Sequence, residues 1–187
     1  MFIELTDHLR CPEPHDESYL VLLPGRLDGR TVVEGQLGCP ACGKTIEFRD
    51  GIVDFGGAPD SEPGHLTADA VHALLGLTGP GGFVGLVGGA SVVAPGLTGL
   101  LPGVTLVSVN PTAVPPGGNV IRAARLPLKA SSLRGVVLGP ELGDTWVADA
   151  VWAVLPGLRV VGEGAAPELP ALEILAAAGA AWVGRRR

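Results

Sequence analysis

The residues able to do chemistry crowd into the first quarter of the chain. All three cysteines lie there: Cys11, Cys39 and Cys42. Two form the knuckle Cys39-Pro40-Ala41-Cys42-Gly43, and the third opens Cys11-Pro12-Glu13-Pro14-His15. Zn²⁺ accepts thiolate and imidazole interchangeably in closed tetrahedral sites. The chain therefore offers a Cys3His set made of Cys11, His15, Cys39 and Cys42. His8 and Asp16 flank the same segment and stand as alternative fourth ligands. An odd cysteine count argues against a disulfide framework, and the spacing favours metal in a reducing cytoplasm.

Those donors need a scaffold. Residues 1–57 read as a β-rich ribbon with strands over 20–23 and 31–37, joined by a turn at Pro24-Gly25. A hairpin over 45–55 follows the knuckle and turns at Asp50-Gly51. Large apolar residues are few here, the situation in which a metal replaces a core. Residues 58–65 read as a linker without large apolar side chains. Thr67 caps a helix to about Leu77, with His72 as a surface residue on it.

From residue 83, short Val/Leu/Ile runs alternate with helical segments. The runs cover 83–87, 104–109, 119–123, 135–138, 158–161 and 180–183. The helical segments cover 92–101, 131–133, 144–155 and 170–178. Such alternation predicts an α/β, Rossmann-like three-layer domain over 66–187, with a mostly parallel sheet and helices on both faces.

Composition sets limits. Apolar residues make up 47% of the chain but aromatics only 4%, so Val, Leu, Ile and Ala must build the core. The net charge is −6. Residues 1–57 hold ten acids against five bases, so −5 of it sits in the ribbon and −1 in the remainder. An acidic ribbon makes a poor nucleic-acid binder, because phosphate contact needs Lys and Arg. Arg185-Arg186-Arg187 reads as a solvated terminus. No uninterrupted apolar run approaches the ~20 residues of a membrane span. The first residues lack the basic and apolar regions of a signal peptide. A cytoplasmic protein is expected.

Three stretches carry a family likeness: Leu9-Arg10-Cys11-Pro12, Leu37-Gly38-Cys39-Pro40-Ala41-Cys42-Gly43, and Arg49-Asp50-Gly51-Ile52-Val53-Asp54-Phe55. Together they resemble the Trm112-like (UPF0434-type) zinc ribbon. Pro14 stands where that family has a second cysteine, and His15 is the neighbouring substitute.

Residues 66–187 resemble a class I S-adenosylmethionine-dependent methyltransferase in the order of their elements. Phe83-Val84-Gly85-Leu86-Val87-Gly88-Gly89 lies at the first strand and glycine loop. Leu155-Pro156-Gly157-Leu158-Arg159-Val160-Val161 lies at the fifth strand. The helix of that family before its closing strands matches 171–179, and the chain ends at the sixth strand candidate, so the closing hairpin is expected to be incomplete.

The resemblance makes Gly88, Gly89 and Asn110 the cofactor-binding positions. The family's acids are missing: Leu86 stands on the first strand, Asn110 after the second, and Arg122-Ala123 after the third. Asn110 hydrogen-bonds but cannot supply a charged acceptor to ribose hydroxyls. Glu163 reads as a solvated loop acid, and no catalytic Ser/His/Asp or paired-acid set is recognisable. The resemblance thus implies Zn²⁺ but weak or no S-adenosylmethionine binding. A non-catalytic methyltransferase-like protein is expected, acting through a protein partner or self-association. The rival reading is an active methyltransferase with a divergent cofactor site.

Overall fold

Period-two burial builds the N-terminal strands. A computed structural model describes residues 1–115, 118–140 and 142–187. After a short helix α1 (Ile3–Thr6) come β1 (Val21–Asp28), β2 (Thr31–Gly38), β3 (Thr45–Arg49) and β4 (Ile52–Asp54). Neighbours pair antiparallel. On β3, Ile46 and Phe48 are buried while Thr45, Glu47 and Arg49 are exposed, which is a strand with one wet face. Asp50 and Gly51 turn with φ of 52° and 75°, the positive pair that a two-residue hairpin turn demands.

Pro24-Gly25 is not the expected turn. Both residues lie inside β1, and the chain reverses at Gly29-Arg30 instead. β1 is an edge strand, where proline's missing N–H breaks no ladder bond. Register shifts on either side of Arg26 absorb the irregularity.

The rest alternates. Helix α2 (Ala68–Leu75) starts as expected, with Thr67 Oγ1 accepting the Ala70 N–H at 3.2 Å. Then come β5 (Phe83–Val87), a 3-10 turn (Gly88–Val93), α3 (Ala94–Leu100), β6 (Thr105–Val109), β7 (Asn119–Arg122) and β8 (Leu133–Leu138). Helix α4 (Asp144–Ala153), β9 (Val154–Glu163), β10 (Leu172–Ala178) and β11 (Ala181–Arg186) complete it.

Among the described residues eleven strands form one sheet, ordered β1-β2-β3-β4-β7-β6-β5-β8-β9-β11-β10. The stretch from β4 to β9 is parallel, and both flanks are antiparallel. The fold is α/β: over residues 66–187 the sheet is mostly parallel, as expected, with β11 and β10 added antiparallel at its edge. Short connections join β1 to β2, β2 to β3, β3 to β4 and β10 to β11 and favour antiparallel pairing, whereas the central strands are joined by longer crossovers.

Two segments depart from the sequence reading. Residues 170–178 were expected as a helix but form β10 against β11; pairing overrides the helix propensity of an alanine-rich run. The closing hairpin is consequently present. Residues 131–133 do not form a helix either: Ser131 turns with φ 54°, and Leu133 begins β8.

The central strands are buried on both faces. Val84, Leu86, Val137 and Val161 pack with Val71, Leu75 and Leu97 of α2 and α3. Phe83, Val87, Val136 and Val160 belong to a second core with Trp146 and Ala150 of α4. Leu5, Leu9, Leu37 and Phe48 enter that same core. The ribbon and the α4 face are thus one packed unit. Among the described residues no helix is long and apolar enough to cross a membrane.

Candidate metal centre

Two local turns bring four donors together. In the first, the Cys11 N–H donates to Ser18 O at 2.8 Å, and Arg10 bridges to Tyr19. This closes the loop that carries His15. In the knuckle, the Cys39 N–H donates to Lys44 O at 2.8 Å and the Gly43 N–H to Cys39 O at 2.9 Å. The donor atoms of Cys11, His15, Cys39 and Cys42 all lie within 4.8 Å of one another.

The spacing fits zinc. Cys11 Sγ and Cys42 Sγ are 3.8 Å apart, and Cys39 Sγ is 3.5 Å from His15 Nε2. A tetrahedron with Zn–S of ~2.3 Å and Zn–N of ~2.1 Å has S···S edges of about 3.8 Å and S···N edges of about 3.6 Å. His15 Nδ1 lies 2.5 Å from Asp16 O. An N–H donated there leaves Nε2 free as the ligand atom, the usual outer-shell support for a metal-bound imidazole.

The alternatives of the sequence go elsewhere. Asp16 contributes its backbone carbonyl, and His8 packs edge-on against Phe83 with ring centroids 5.2 Å apart.

The donors differ in their acidity. Burial pushes the Cys11 thiol up to about 11. Burial also raises Cys39, but N–H groups of Cys42 and Ala41, together with Ser18, outweigh it and bring that thiol down to about 6. The bond to Asp16 O holds the His15 imidazole above its ordinary value. A thiolate at Cys39 gives a metal its first ligand, and binding then expels the remaining protons.

A cleft of about 270 Å³ lies beside the cluster, lined by Arg10, Glu13, His15 and Arg125 among others. Lys44 pairs with Glu13. Behind it Asp149 is only 5% exposed. Its carboxylate accepts two bonds from Arg125 at 2.6 and 3.0 Å, the Leu126 N–H at 3.2 Å, and a longer contact from Arg10 at 3.5 Å. Arg10 precedes Cys11, so this network ties the flank of the metal cluster to α4. No local sequence pattern announces it, since Arg10 and Asp149 are 139 residues apart.

The positions expected to bind a cofactor are built differently. Gly88 and Gly89 lie buried in the turn after β5. The segment read as a linker is seated on them. The Gly64 N–H donates to Gly89 O at 3.0 Å, and a Cβ built on Gly89 would stand 1.8 Å from the Glu62 carbonyl oxygen. The His65 N–H donates to both carboxylate oxygens of Glu163, at 2.8 and 3.1 Å. Glu163 is therefore the anchor of this strap rather than a solvated acid.

Asn110, 5% exposed with φ 50°, donates from Nδ2 to Ala123 O at 2.8 Å and accepts the Ala123 N–H at 2.9 Å. Its side chain is spent on joining β6 to β7. Leu86 is buried in the α2/α3 core.

The strap makes Gly89 intolerant of any side chain. Gly89→Ala forces the backbone at Glu62 to move, and overpacking of this kind costs about 1–3 kcal/mol. Thermal denaturation is expected to show the loss. Gly99→Ala serves as the control, because a Cβ there meets nothing within 4 Å.

No family model matches the chain, and no curated protein matches it. Among solved structures it is similar to the T. thermophilus 16S rRNA N2 G1207 methyltransferase (RsmC) in complex with AdoMet and guanosine. The identity is 16% and the TM-score 0.34, over 89% of this chain and 44% of that one. The chain thus spans less than half the length of that methyltransferase.

Proposed function

We propose that this chain is a zinc-holding, methyltransferase-like protein without methyl-transfer activity, which works through protein contacts. Counting β5 as strand one, the order β7-β6-β5-β8-β9-β11-β10 reads 3-2-1-4-5-7-6. That is the doubly wound order, with an antiparallel strand inserted beside the fifth. In such sheets ligands bind outside the carboxyl ends of the strands, where the order reverses.

The observation that carries the reading is what lies there. The carboxyl end of β5 is the turn at Gly88-Gly89, and residues 61–64 of the chain itself pack on it. A cofactor approaching this backbone meets the strap first. At the end of the second strand, Asn110 has both polar atoms in backbone bonds. The Cys3His cluster then serves structure, because a four-ligand site leaves zinc no open position for substrate.

Thermal denaturation of the zinc-loaded chain with added S-adenosylmethionine tests the reading. No stabilisation is expected. A bound ligand at 100 times its Kd would add ~2.7 kcal/mol, and a rise of that size refutes the proposal in favour of an active enzyme.

A further inference from the structure

The two edges of the sheet are guarded unequally. Edge β1 carries Pro24, two register shifts, Arg26 and Asp28. Proline, bulges and charge are the devices that keep an edge strand from pairing with another chain. Edge β10, Leu-Glu-Ile-Leu-Ala-Ala-Ala, has no proline and no lysine. Its one charge, Glu173, is held by Arg185 of the inner strand at 2.7 Å. A single bulge at Leu175 interrupts it, and Ile174 and Leu175 stay 37% and 39% exposed. A seven-residue edge whose single charge is already paired is an open template for a partner strand.

We infer that β10 pairs antiparallel with β10 of a second copy of this chain, joining two sheets across a twofold axis. The strand has a size gradient: Leu172, Ile174 and Leu175 fill its first half, and Ala176, Ala177 and Ala178 its second. A twofold axis near Ala176 reverses one strand against the other. Each large side chain then meets a small one, the complementarity that a closed, self-matching interface requires. The same axis sets Glu173 of each copy against the uncharged turn Gly179-Ala180 of the other, so no like charges meet. The apolar groove under Trp152, lined by Val151, Leu169 and Pro170, opens beside the start of β10 and extends the surface. Trp152 is 47% exposed at its rim, as an aromatic anchor for a partner would be.

This partner deepens the reading that the chain acts through protein contact. Its test involves no cofactor, so the two can fail separately. Sedimentation velocity of the zinc-loaded full chain, over a micromolar concentration series, is expected to show a monomer–dimer equilibrium. Ala177→Lys places a charge on the exposed middle of the edge and should weaken association by ~30-fold or more, as loss of a hot spot does. Leu175→Lys should do the same, and Leu23→Lys on the opposite edge should not. Zinc content and circular dichroism confirm that each variant is folded. A chain that stays monomeric throughout overturns the inference. So does a dimer that survives both β10 variants, or one that is lost only with Leu23→Lys.

Discussion

Stripping zinc from this chain is expected to unfold residues 1–57 at room temperature. Residues 1–57 place Met1, Leu5, Leu9, Leu20, Val32, Leu37, Ile46, Phe48 and Val53 in the core, but most of that core is shared with the rest of the sheet. A structural zinc site contributes ~10–16 kcal/mol of apparent binding energy, while a whole domain is stable by only ~5–15 kcal/mol. The core the ribbon shares with α4 offsets only part of a loss of that size. The damage does not stop at residue 57, because β4 pairs with β7 and the ribbon shares its core with α4. Chelation should therefore remove hydrogen-exchange protection from β2, β3 and β4 and weaken it in β7. Strands β5 and β8, paired on both sides, should keep theirs. Cys42→Ala should reproduce the pattern. Full protection of β2 and β3 after chelation would mean that the four donors are not a structural site.

Asp149→Ala is expected to be strongly destabilising although it lies outside the cluster. Its buried carboxylate gathers Arg125, the Leu126 N–H and Arg10. Removing one partner of a buried ion pair strands the other and costs ~3–5 kcal/mol. Here the lower figure applies, since the Arg125 side chain is 49% exposed and water recovers part of the loss. Urea denaturation should show a drop of about 3 kcal/mol, with Asp149→Asn falling in between. A change under ~0.5 kcal/mol, the size of an ordinary surface substitution, would show that the network holds nothing.

The sequence disclosed local structure far better than contacts between distant segments. The Cys39–Cys42 knuckle, the Asp50-Gly51 turn and the Thr67 cap are each settled within five residues, and each stands where it was expected. β10 was misread because alanine and leucine favour helix in isolation, and only the neighbouring β11 makes the run a strand. Pro24-Gly25 was misread because a proline on an edge strand costs little. The strap was invisible for a different reason: Glu62 and Gly64 meet Gly89 only once α2 has turned the chain back. A segment of glycine, proline and charge carries no sign of what it covers. That a polar Asn110 follows the run 104–109 was legible, but its bonds to Ala123 were not.

The proposed function requires that the sheet of this chain carry no S-adenosylmethionine. Isothermal titration of S-adenosylmethionine into the zinc-loaded chain tests it most directly. The strap on Gly89 and the committed side chain of Asn110 predict no measurable binding heat. A dissociation constant in the low micromolar range, with one site per chain, would contradict the account and restore the reading of an active methyltransferase with a divergent cofactor site.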